Sequence, residues 1–446
     1  MRIPRVVIAA PGSGAGKTTV ATGLMAALRQ RGLQVSPHKV GPDYIDPGYH
    51  GLAAGRPGRN LDPVLVGEDL VAPLLLHGAR GCDIAVIEGV MGLFDGRGST
   101  GEGSTAHVAH LLGAPVLLVV DASSQSTSVA ALVHGFTSYD TGLDVAGVIL
   151  NRVATDRHEG MLRDALADVA PVVGVLRRDA HVETPSRHLG LVPVAERHPE
   201  AVATVERLGR VVAAGVDLDR VVEIAGGAGD LAAAPWEPEV VDRTVRPVVA
   251  LAGGPAFTFA YAETAEALTA AGADVVIVDP LRDEDLPEGT AGLVLPGGFP
   301  EVYVDQLAAN RGFLDAVRRH VASPHGTTYA ECAGLLLLGK SLDGVGMVGH
   351  FESTATMTSR LTLGYRTAVA AHDSLAGPAG TVVVGHEFHR TATDPGAGAR
   401  PAWQFQDGTM EGFTSGSSVL ASYLHLHPAG VPALARNIVQ SAAGGP

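Results

Sequence analysis

The sequence predicts an α/β protein of two domains, in which a doubly wound parallel sheet is followed by a second α/β domain. Three observations support this prediction. Short apolar runs alternate with helical patterns in both halves of the chain, as strands and helices do in parallel sheets. A glycine-rich turn at residues 11–19 directly follows the first apolar run. A stretch rich in Ala, Gly and Pro, with no hydrophobic period, separates the halves near residue 240.

Composition limits the classes of function. The chain has 446 residues, a formal charge of −15 and 46% hydrophobic residues. An acidic chain without a basic stripe is unsuited to nucleic acid, and no apolar run approaches the roughly 18 residues of a membrane span. The two cysteines, Cys82 and Cys332, lie far apart, which indicates a reducing compartment. We therefore expect a cytoplasmic enzyme with no nucleic-acid and no membrane partner.

The chain is predicted to consist of three segments. Residues 1–195 contain the strand–helix alternation that follows the glycine-rich turn. Residues 196–246 hold two amphipathic helical stretches and the Ala/Gly/Pro linker, which places the domain boundary near residue 240. Residues 247–440 begin a second strand–helix pattern without a second glycine-rich turn of this kind.

The glycine-rich turn PGSGAGKTT has the pattern of a P-loop. Its glycines let successive backbone N–H groups point at one polyphosphate, although Pro11 stands where the strict pattern has glycine. Lys17 supplies charge for the terminal phosphates, and the Thr18 hydroxyl is placed to ligate Mg²⁺. The sequence therefore predicts a site for a nucleoside triphosphate and Mg²⁺. The residues expected to contact the nucleotide are Gly12, Gly14, Gly16, Lys17, Thr18 and Thr19.

Four carboxylates follow predicted strands, at the edge where parallel sheets bind ligands. Asp43 and Asp46 lie in KVGPDYIDPGYH, residues 39–50, whose Pro and Gly predict an irregular loop. Glu88 ends the apolar strand DIAVIEG, and Asp95 lies in the loop that follows it. These side chains are predicted to converge on one Mg²⁺–phosphate site. For residues 39–50, a turn with capping aspartates is the alternative interpretation.

Mg²⁺ keeps several waters and takes one or two protein carboxylates, which is fewer than the four present. We expect Glu88 and Thr18 to be its ligands, with Asp43 next. Asp46 and Asp95 are predicted to position the acceptor carboxylate, or the loop that closes over it, during phosphoryl transfer. Lys39 is expected to screen the negative charge beside the phosphates. Asn151, at the end of another predicted strand, is expected to contact the base or to serve as a core or capping residue.

The second half contains a candidate nucleophile. Cys332 lies at a predicted strand-to-helix junction, where the helix dipole is expected to lower the thiol pKa. The N–H of Ala333 and that of Gly298, in LPGGFPE, can stabilise an oxyanion. Alternation in SYLHLH predicts a strand with His425 and His427 on the same side. We predict that Cys332 is the nucleophile, His425 its base and His427 the residue that orients His425.

Eight motifs occur in a fixed order along nearly the whole chain. They are PGSGAGKTT, KVGPDYIDPGYH, EGVMGLFDG, LPGGFPE, YAECAG, GYR, GHEFHRT and SYLHLH. In this order they resemble the cobyrinic and hydrogenobyrinic acid a,c-diamide synthases of cobalamin biosynthesis. The resemblance implies an ATP-binding domain similar to dethiobiotin synthetase, followed by a class I glutamine amidotransferase domain. It further implies ATP- and Mg²⁺-dependent amidation of the a and c carboxylates of a corrin, through acyl phosphates, with glutamine as nitrogen donor.

Two residues depart from the pattern of this family. Class I glutaminases usually carry His-Pro-Glu, whereas His425 is followed here by Leu426 and His427, so a histidine stands where the acid is usual. Relatives usually have glycine where this chain has Ala333, whose backbone N–H is retained. The first departure implies a base with weaker support. The expected partners are glutamine and a corrin substrate, and a homodimer is left open.

Other functions fit parts of the same pattern. A cobyric acid synthase or a nickel-tetrapyrrole amidase would use the same two domains on other carboxylates. A partitioning-type P-loop ATPase with an inert binding domain is the alternative from another class. Such ATPases usually carry a second lysine near the start of the loop, where this chain has Gly12. Release of glutamate from glutamine distinguishes the two classes.

Overall fold

Parallel strands form the sheet of the first unit, as the alternating pattern predicted. The computed structural model describes residues 1–178, 186–187, 190–191, 194 and 198–444, and the chain divides by its contacts into Met1–Glu237 and Pro238–Pro446. The strands of the first unit are β1 (Arg5–Ala9), β2 (Val35–Val40), β3 (Arg59–Leu61), β4 (Ile84–Glu88), β5 (Val116–Asp121), β6 (Val145–Val153), β7 (Val172–Arg177), β8 (Ser186–Arg187) and β9 (Gly190–Leu191). Its helices are α1 (Lys17–Gln30), α2 (Asp46–Ala54), α3 (Pro63–Val66), α4 (Glu68–Gly78), α5 (Thr105–Leu112), α6 (Val129–Ser138), α7 (Asp156–Leu166), α8 (His198–Gly215) and α9 (Leu218–Gly226).

The order of strands brings the P-loop and the predicted acids to one edge. The main sheet runs β3-β2-β4-β1-β5-β6-β7, and the pairs within it are parallel. The P-loop leaves β1, which lies between β4 and β5. Glu88, the last residue of β4, is in register with Ile8 on one side and with Lys39 on the other. Register therefore places Lys39 and Glu88 next to each other beside the P-loop.

The helices that follow the main sheet pack within the first unit. Helix α8 crosses α1 closely at Gly23, where a Cβ would lie 2.5 Å from Val212 and 2.7 Å from the Leu208 carbonyl. The stretch after α9 also contacts this unit, because the N–H of Trp236 donates to the Pro73 carbonyl at 2.9 Å. Residues 198–237, which the sequence placed in a separate segment, thus contact the P-loop unit.

The prediction of an irregular loop for residues 39–50 is wrong for its second half, which begins helix α2 at Asp46. Pro47 stands in the first turn of this helix. Proline is tolerated there because the N–H groups of the first turn have no partner within the helix. The Asp43 carboxylate accepts from the N–H groups of Ile45 and Asp46 at 2.8 and 2.9 Å. These contacts satisfy donors that a helix start leaves unpaired, so the same Asp and Pro that indicated a loop begin a helix.

The second unit has a parallel sheet followed by a long antiparallel hairpin. Its strands are β10 (Val248–Ala252), β11 (Asp274–Val278), β12 (Thr290–Leu295), β13 (Thr327–Glu331), β14 (Ser341–Leu342), β15 (Val345–Gly346), β16 (Thr354–Ala370), β17 (Val382–Asp394), β18 (Trp403–Phe405), β19 (Met410–Glu411), β20 (Phe413–Ser415) and β21 (Val419–Ser422). Its helices are α10 (Ala262–Ala270), α11 (Val304–Ala309), α12 (Arg311–Ala322), α13 (Ala333–Leu338) and α14 (Pro432–Ala442), with a 3-10 turn at Pro300–Val302.

Helices cover both faces of this second sheet, whose order is β11-β10-β12-β13-β21-β20. Phe313 of α12 and Leu336 of α13 belong to one buried cluster, and Leu268 of α10 and Ile438 of α14 belong to the other. The α/β architecture of two units predicted from the sequence is therefore confirmed. Among the residues that the structure describes, no helix has the length and hydropathy needed to cross a bilayer.

One predicted element of the second unit differs from the structure, and one pair of helices is divided at a single residue. Helices α11 and α12 are separated at Asn310, whose side chain accepts from the N–H of Phe313. The strand predicted for residues 422–427 is wrong, because β21 ends at Ser422. Beyond it, His425 forms an isolated bridge with His386. The apolar residues of that segment, such as Leu424 and Leu426, are buried without a regular strand.

Candidate active sites

The P-loop bends around the N-terminus of α1. Gly14 and Gly16 adopt φ angles of +80° and +103°, which favour glycine, and a Cβ on Gly16 would lie 2.2 Å from Nδ2 of Asn151. That nitrogen donates to the Ala15 carbonyl at 2.9 Å. Asn151, at the end of β6, therefore holds the loop in place, and its predicted contact with the base stays a prediction.

Lys17 lies buried under the loop. Its Nζ donates to the carbonyls of Gly12 and Met91, and its pKa is lowered by burial and by the nearby charge of Lys39. An open cleft of about 570 Å³ adjoins it, a size suited to a phosphorylated ligand. The cleft is lined by Ser13, Gly14, Gly16, Lys17, Thr18, Thr19, Lys39, Asp43, Ile45, Asp46, Glu88, Val90 and Met91.

A buried network of charges forms the floor of this cleft. Oε1 of Glu88 accepts from the Thr18 hydroxyl at 2.6 Å and lies 2.9 Å from Nζ of Lys39. Its Oε2 lies 2.7 Å from Nε2 of His50, which the sequence did not single out. Asp46 accepts from Lys39 at 2.7 Å and from Thr18 at 3.3 Å. Thr18, Asp46 and Glu88 thus present oxygen atoms to one point.

The network fixes the charges of its members. Burial opposes ionisation of Glu88, but Lys39 and contacts from His50 and Thr18 outweigh it and lower the pKa of that carboxyl. Burial and the adjacent Asp43 raise the pKa of Asp46, against the attraction of Lys39. Burial alone would lower the pKa of Lys39, but its carboxylate neighbours raise it. Lys39 therefore stays a cation and Glu88 an anion.

Two of the four predicted carboxylates have structural contacts of their own. Asp43 accepts with Oδ1 from the first N–H groups of α2, as the capping interpretation expected. Asp95 accepts with Oδ2 from the N–H of Gly92 at 2.9 Å and holds the turn of its own loop. The sequence ranked Asp43 above Asp46 as a ligand of Mg²⁺, but Asp46 is the residue that accepts from the Thr18 hydroxyl, at 3.3 Å. The metal roles of all four stay predictions.

The residues present suit Mg²⁺ bound together with phosphates. A hydroxyl and two carboxylates offer the hard oxygen ligands that this ion prefers, and two carboxylates are as many as it usually takes. Within the described ranges, no group of three or more His, Cys, Asp or Glu has the arrangement of a metal site. The ion would therefore depend on phosphate oxygens to complete its coordination.

In the second unit, Cys332 lies on a sharp turn between β13 and α13. Its φ of +44° is unusual for a residue other than glycine, and a Cβ on Gly334 would lie 2.3 Å from the Leu295 carbonyl. The N–H of Cys332 donates to the Ser422 carbonyl at 2.7 Å. This strained turn between strand and helix is where hydrolases expose a nucleophile.

Two backbone amides lie beside the thiol. The N–H groups of Ala333 and Gly298 act on the Cys332 thiol and favour its ionised form, and they are the two donors that the sequence predicted for an oxyanion site. The Gly298 backbone is packed so closely that a Cβ there would lie 2.1 Å from the Ala256 carbonyl. A Cβ on the preceding glycine, Gly297, would lie 2.3 Å from the ring of His425.

The thiol itself is less acidic than the sequence suggested. Burial is the main cause that raises the pKa of Cys332 above its ordinary value, and the carboxylate of Glu301 acts in the same direction. The amides of Ala333 and Gly298 oppose this effect without reversing it. The expectation of a lowered pKa is therefore wrong, and the proton must be removed by a base.

The two predicted histidines have different carboxylate neighbours. Nδ1 of His425 lies 3.4 Å from Oε2 of Glu331, the residue directly before the nucleophile. Nε2 of His427 lies 4.0 Å from Oε2 of Glu263, and its ring stands 4.4 Å from that of Tyr261. The side chains of both histidines are fully buried. The contact of His425 with Glu331 has no counterpart in the sequence prediction.

The hairpin β16–β17 adds a wall that sequence reasoning did not place. His386 exchanges backbone hydrogen bonds with His425 at 2.9 and 3.0 Å, and the Phe388 carbonyl lies 4.0 Å from Sγ of Cys332. Both belong to the motif GHEFHRT. The sequence contains this motif, but it does not show that the motif lies beside Cys332. That position depends on the pairing of β16 with β17, which forms only with the tertiary structure.

Comparison with known proteins identifies the two domains in which these candidate sites lie. The CobQ/CobB/MinD/ParA nucleotide binding domain matches residues 6–192, and the CobB/CobQ-like glutamine amidotransferase domain matches residues 248–432. A nucleotide-binding domain joined to a glutamine amidotransferase domain defines an enzyme of the glutamine-dependent amide ligase class.

The full-length relatives identify the family. The chain is 57% identical to the hydrogenobyrinate a,c-diamide synthase of Streptomyces coelicolor, over 98% of this chain and 97% of that protein. It is 54% identical to the protein of that name from Mycobacterium tuberculosis, over all of both chains. It is 41% identical to the cobyrinate a,c-diamide synthase of a Synechococcus strain, over 98% of each. The chain belongs to the a,c-diamide synthase family, as its eight motifs indicated.

Proposed function

We propose that this protein uses ATP and glutamine to amidate the a and c side-chain carboxylates of hydrogenobyrinate, a corrin, in cobalamin biosynthesis. The observation that carries the proposal is the presence, on one chain of this family, of a P-loop cleft with buried counter-charges and of a cysteine under two converging amides. The first suits phosphoryl transfer and the second suits release of ammonia from an amide.

Metal-free hydrogenobyrinate is the preferred substrate in this proposal. The relatives at 54% identity and above carry its name, whereas those named for cobyrinate are 38–41% identical. The test is an amidation assay with each corrin at equal concentration. A kcat/KM at least tenfold higher for the metal-free corrin is expected, and a preference for the cobalt-containing one would contradict the choice of substrate without affecting the reaction class.

In the first unit, a corrin carboxylate becomes an acyl phosphate. The carboxylate oxygen attacks the γ-phosphorus of ATP and ADP leaves, after which ammonia displaces phosphate to give the amide. Lys17 and the P-loop N–H groups bind the phosphates, while Thr18, Glu88 and Asp46 would hold Mg²⁺. When bound, Mg²⁺ neutralises charge on the transferred group. Lys39, held by Asp46 and Glu88, reduces repulsion between the anionic substrates.

In the second unit, glutamine supplies the ammonia. His425 takes the proton from the Cys332 thiol, the sulfur attacks the side-chain amide carbon, and the proton leaves with the ammonia as a thioester forms. Water then hydrolyses the thioester to glutamate and restores the thiol. The N–H groups of Ala333 and Gly298 stabilise the negative oxygen in both steps.

Replacement of Cys332 by alanine tests whether the reaction is divided in this way. We expect glutamine-dependent synthesis to fall by at least about 10⁴-fold, as for removal of other catalytic nucleophiles. Synthesis from ammonium chloride should stay within about twofold, because the phosphoryl chemistry uses the other unit. Loss of both activities in a variant with an unchanged melting temperature would contradict the proposal. Absence of glutamate release by the unaltered protein would favour the ATPase alternative.

A further inference from the structure

We propose that Glu331 is the positioning residue for His425, so that the carboxylate of the glutaminase site comes from the residue before the nucleophile. The inference rests on the proposed function, since it concerns the base of that reaction. It gives the role of the usual acid, which stands two residues after the histidine, to a side chain at the end of β13.

The surroundings of Glu331 fix its carboxylate beside the base. Glu331 ends β13, where it is in register with Ser422 at the end of β21. Oε2 lies 3.4 Å from Nδ1 of His425, and Oε1 accepts from the N–H of Leu426 at 2.9 Å and from the Tyr329 hydroxyl. The carboxylate thus lies within ion-pair distance of the His425 ring while the next backbone N–H holds it in place. A carboxylate at this distance from Nδ1 favours the tautomer that carries its proton on that nitrogen.

The contacts of His427 point elsewhere. Its Nδ1 accepts from the N–H of Ala429 at 3.2 Å, so in the neutral ring the proton is on Nε2. That nitrogen faces the fully buried Glu263, at the start of α10, at 4.0 Å. His427 thus faces the turn after the site on one side and α10 on the other. We therefore assign the orienting role to Glu331 rather than to the residue at the usual place of the acid.

A carboxylate at Nδ1 sets the chemistry of the ring. With Nδ1–H facing Glu331, the lone pair of Nε2 is the one that takes the proton from Cys332, and the imidazolium formed is stabilised by the anion. This help matters here because burial raises the pKa of the thiol, so the resting nucleophile is protonated. A correctly oriented base is then needed in every turnover.

The test compares Glu331→Gln with His427→Gln, and uses Glu331→Asp to keep the charge. Glutaminase kcat should fall about 10²- to 10⁴-fold in Glu331→Gln, by analogy with loss of the orienting acid in serine proteases. The KM for glutamine should change less than about threefold, because the side chain at position 331 is proposed to act through His425 and not on the substrate. Glu331→Asp should recover at least tenfold of the lost kcat, and His427→Gln should lose less than tenfold.

Nitrogen-15 NMR of labelled histidine gives a readout that a merely structural role would not move. In the neutral ring of His425, assigned with His425→Gln, the proton should be on Nδ1 in the unaltered protein and on Nε2 in Glu331→Gln. Loss of kcat with an unchanged tautomer would overturn the inference. So would a Glu331→Gln variant with kcat within tenfold, or a greater loss in His427→Gln. Ammonia-dependent synthesis confirms the fold of each variant, and its failure in Cys332→Ala would instead overturn the proposed function.

Discussion

Replacement of Glu88 by glutamine should weaken the binding of ATP when Mg²⁺ is present, but not the binding of ATP without Mg²⁺. Glu88 has no exposed surface and carries a charge fixed by Lys39, with Thr18 at 2.6 Å. Glutamine keeps the shape and can still accept from Thr18, but it removes the anion that would face the metal. The ion pair of Lys39 with Asp46 at 2.7 Å remains, so the site should stay assembled.

The magnitude follows from the loss of one charged contact. Hydrogen bonds and ligands that involve a charged group contribute about 1.5–3 kcal/mol. At about 1.4 kcal/mol per tenfold change, the Kd of Mg²⁺–ATP should rise roughly 10- to 150-fold. Isothermal titration measures it directly. Repeated with EDTA, the titration should show ATP binding equally well or better in the variant, because a carboxylate no longer opposes the phosphates.

Asp95→Asn is the matched control. Like Glu88→Gln it replaces one carboxylate by an amide, but at a position in the loop that follows β4. Asparagine can accept from the N–H of Gly92 as Asp95 does, so Kd should stay within about threefold while kcat falls. Equal losses of affinity in the two variants would refute the division of roles. A loss in Glu88→Gln that persists in EDTA would refute the metal assignment.

Three further changes test other parts of the structure. Lys17→Ala should lower kcat/KM for ATP by about 10³-fold or more while glutamate release continues, measured by coupled assays of each half-reaction. Gly297→Ala should reduce glutaminase activity by at least about 10²-fold, since its Cβ would lie 2.3 Å from the ring of His425, whereas Gly346→Ala, with open space at Cβ, should not. Burial raises the pKa of Glu411 from 4.5 to about 8; because the folded pKa exceeds the unfolded one, folding stability is lost as pH rises between these values. Relative to Glu411→Gln, the unfolding free energy in urea should fall by about 3 kcal/mol from pH 4.5 to 7, and a difference independent of pH would contradict this.

The sequence was informative where function depends on residues that are close along the chain. The P-loop, the strand end at Glu88 and the strand-to-helix turn at Cys332 each lie within one short stretch, and local patterns predict such stretches well. Asp43 and Asp46 were harder to separate. The contact of Asp46 with Thr18 depends on the start of α2 at Asp46, where Pro47 stands in the first turn although this residue type usually interrupts a helix.

Glu331 shows what a local reading misses. The spacing of His425 and His427 invited a relay along one strand, but β21 ends at Ser422 and the alternation no longer applies beyond it. The carboxylate beside His425 comes from β13, through a pairing register that is decided only when the sheet forms. Tertiary contacts of this kind leave no period or spacing in a single sequence.

The pKa of Cys332 was misjudged because two opposing effects differ in size. A helix end contributes about 0.3–1 kcal/mol, less than one pKa unit, and α13 is only six residues long. Burial can shift a pKa by several units, and the thiol is 3% exposed with Glu301 near it. Burial therefore outweighs the dipole. In the proposed mechanism the thiol stays protonated until glutamine is bound and His425 takes its proton. Thiol alkylation should therefore be slow at neutral pH in the unaltered protein, and rapid alkylation by iodoacetamide without glutamine would refute this order of events.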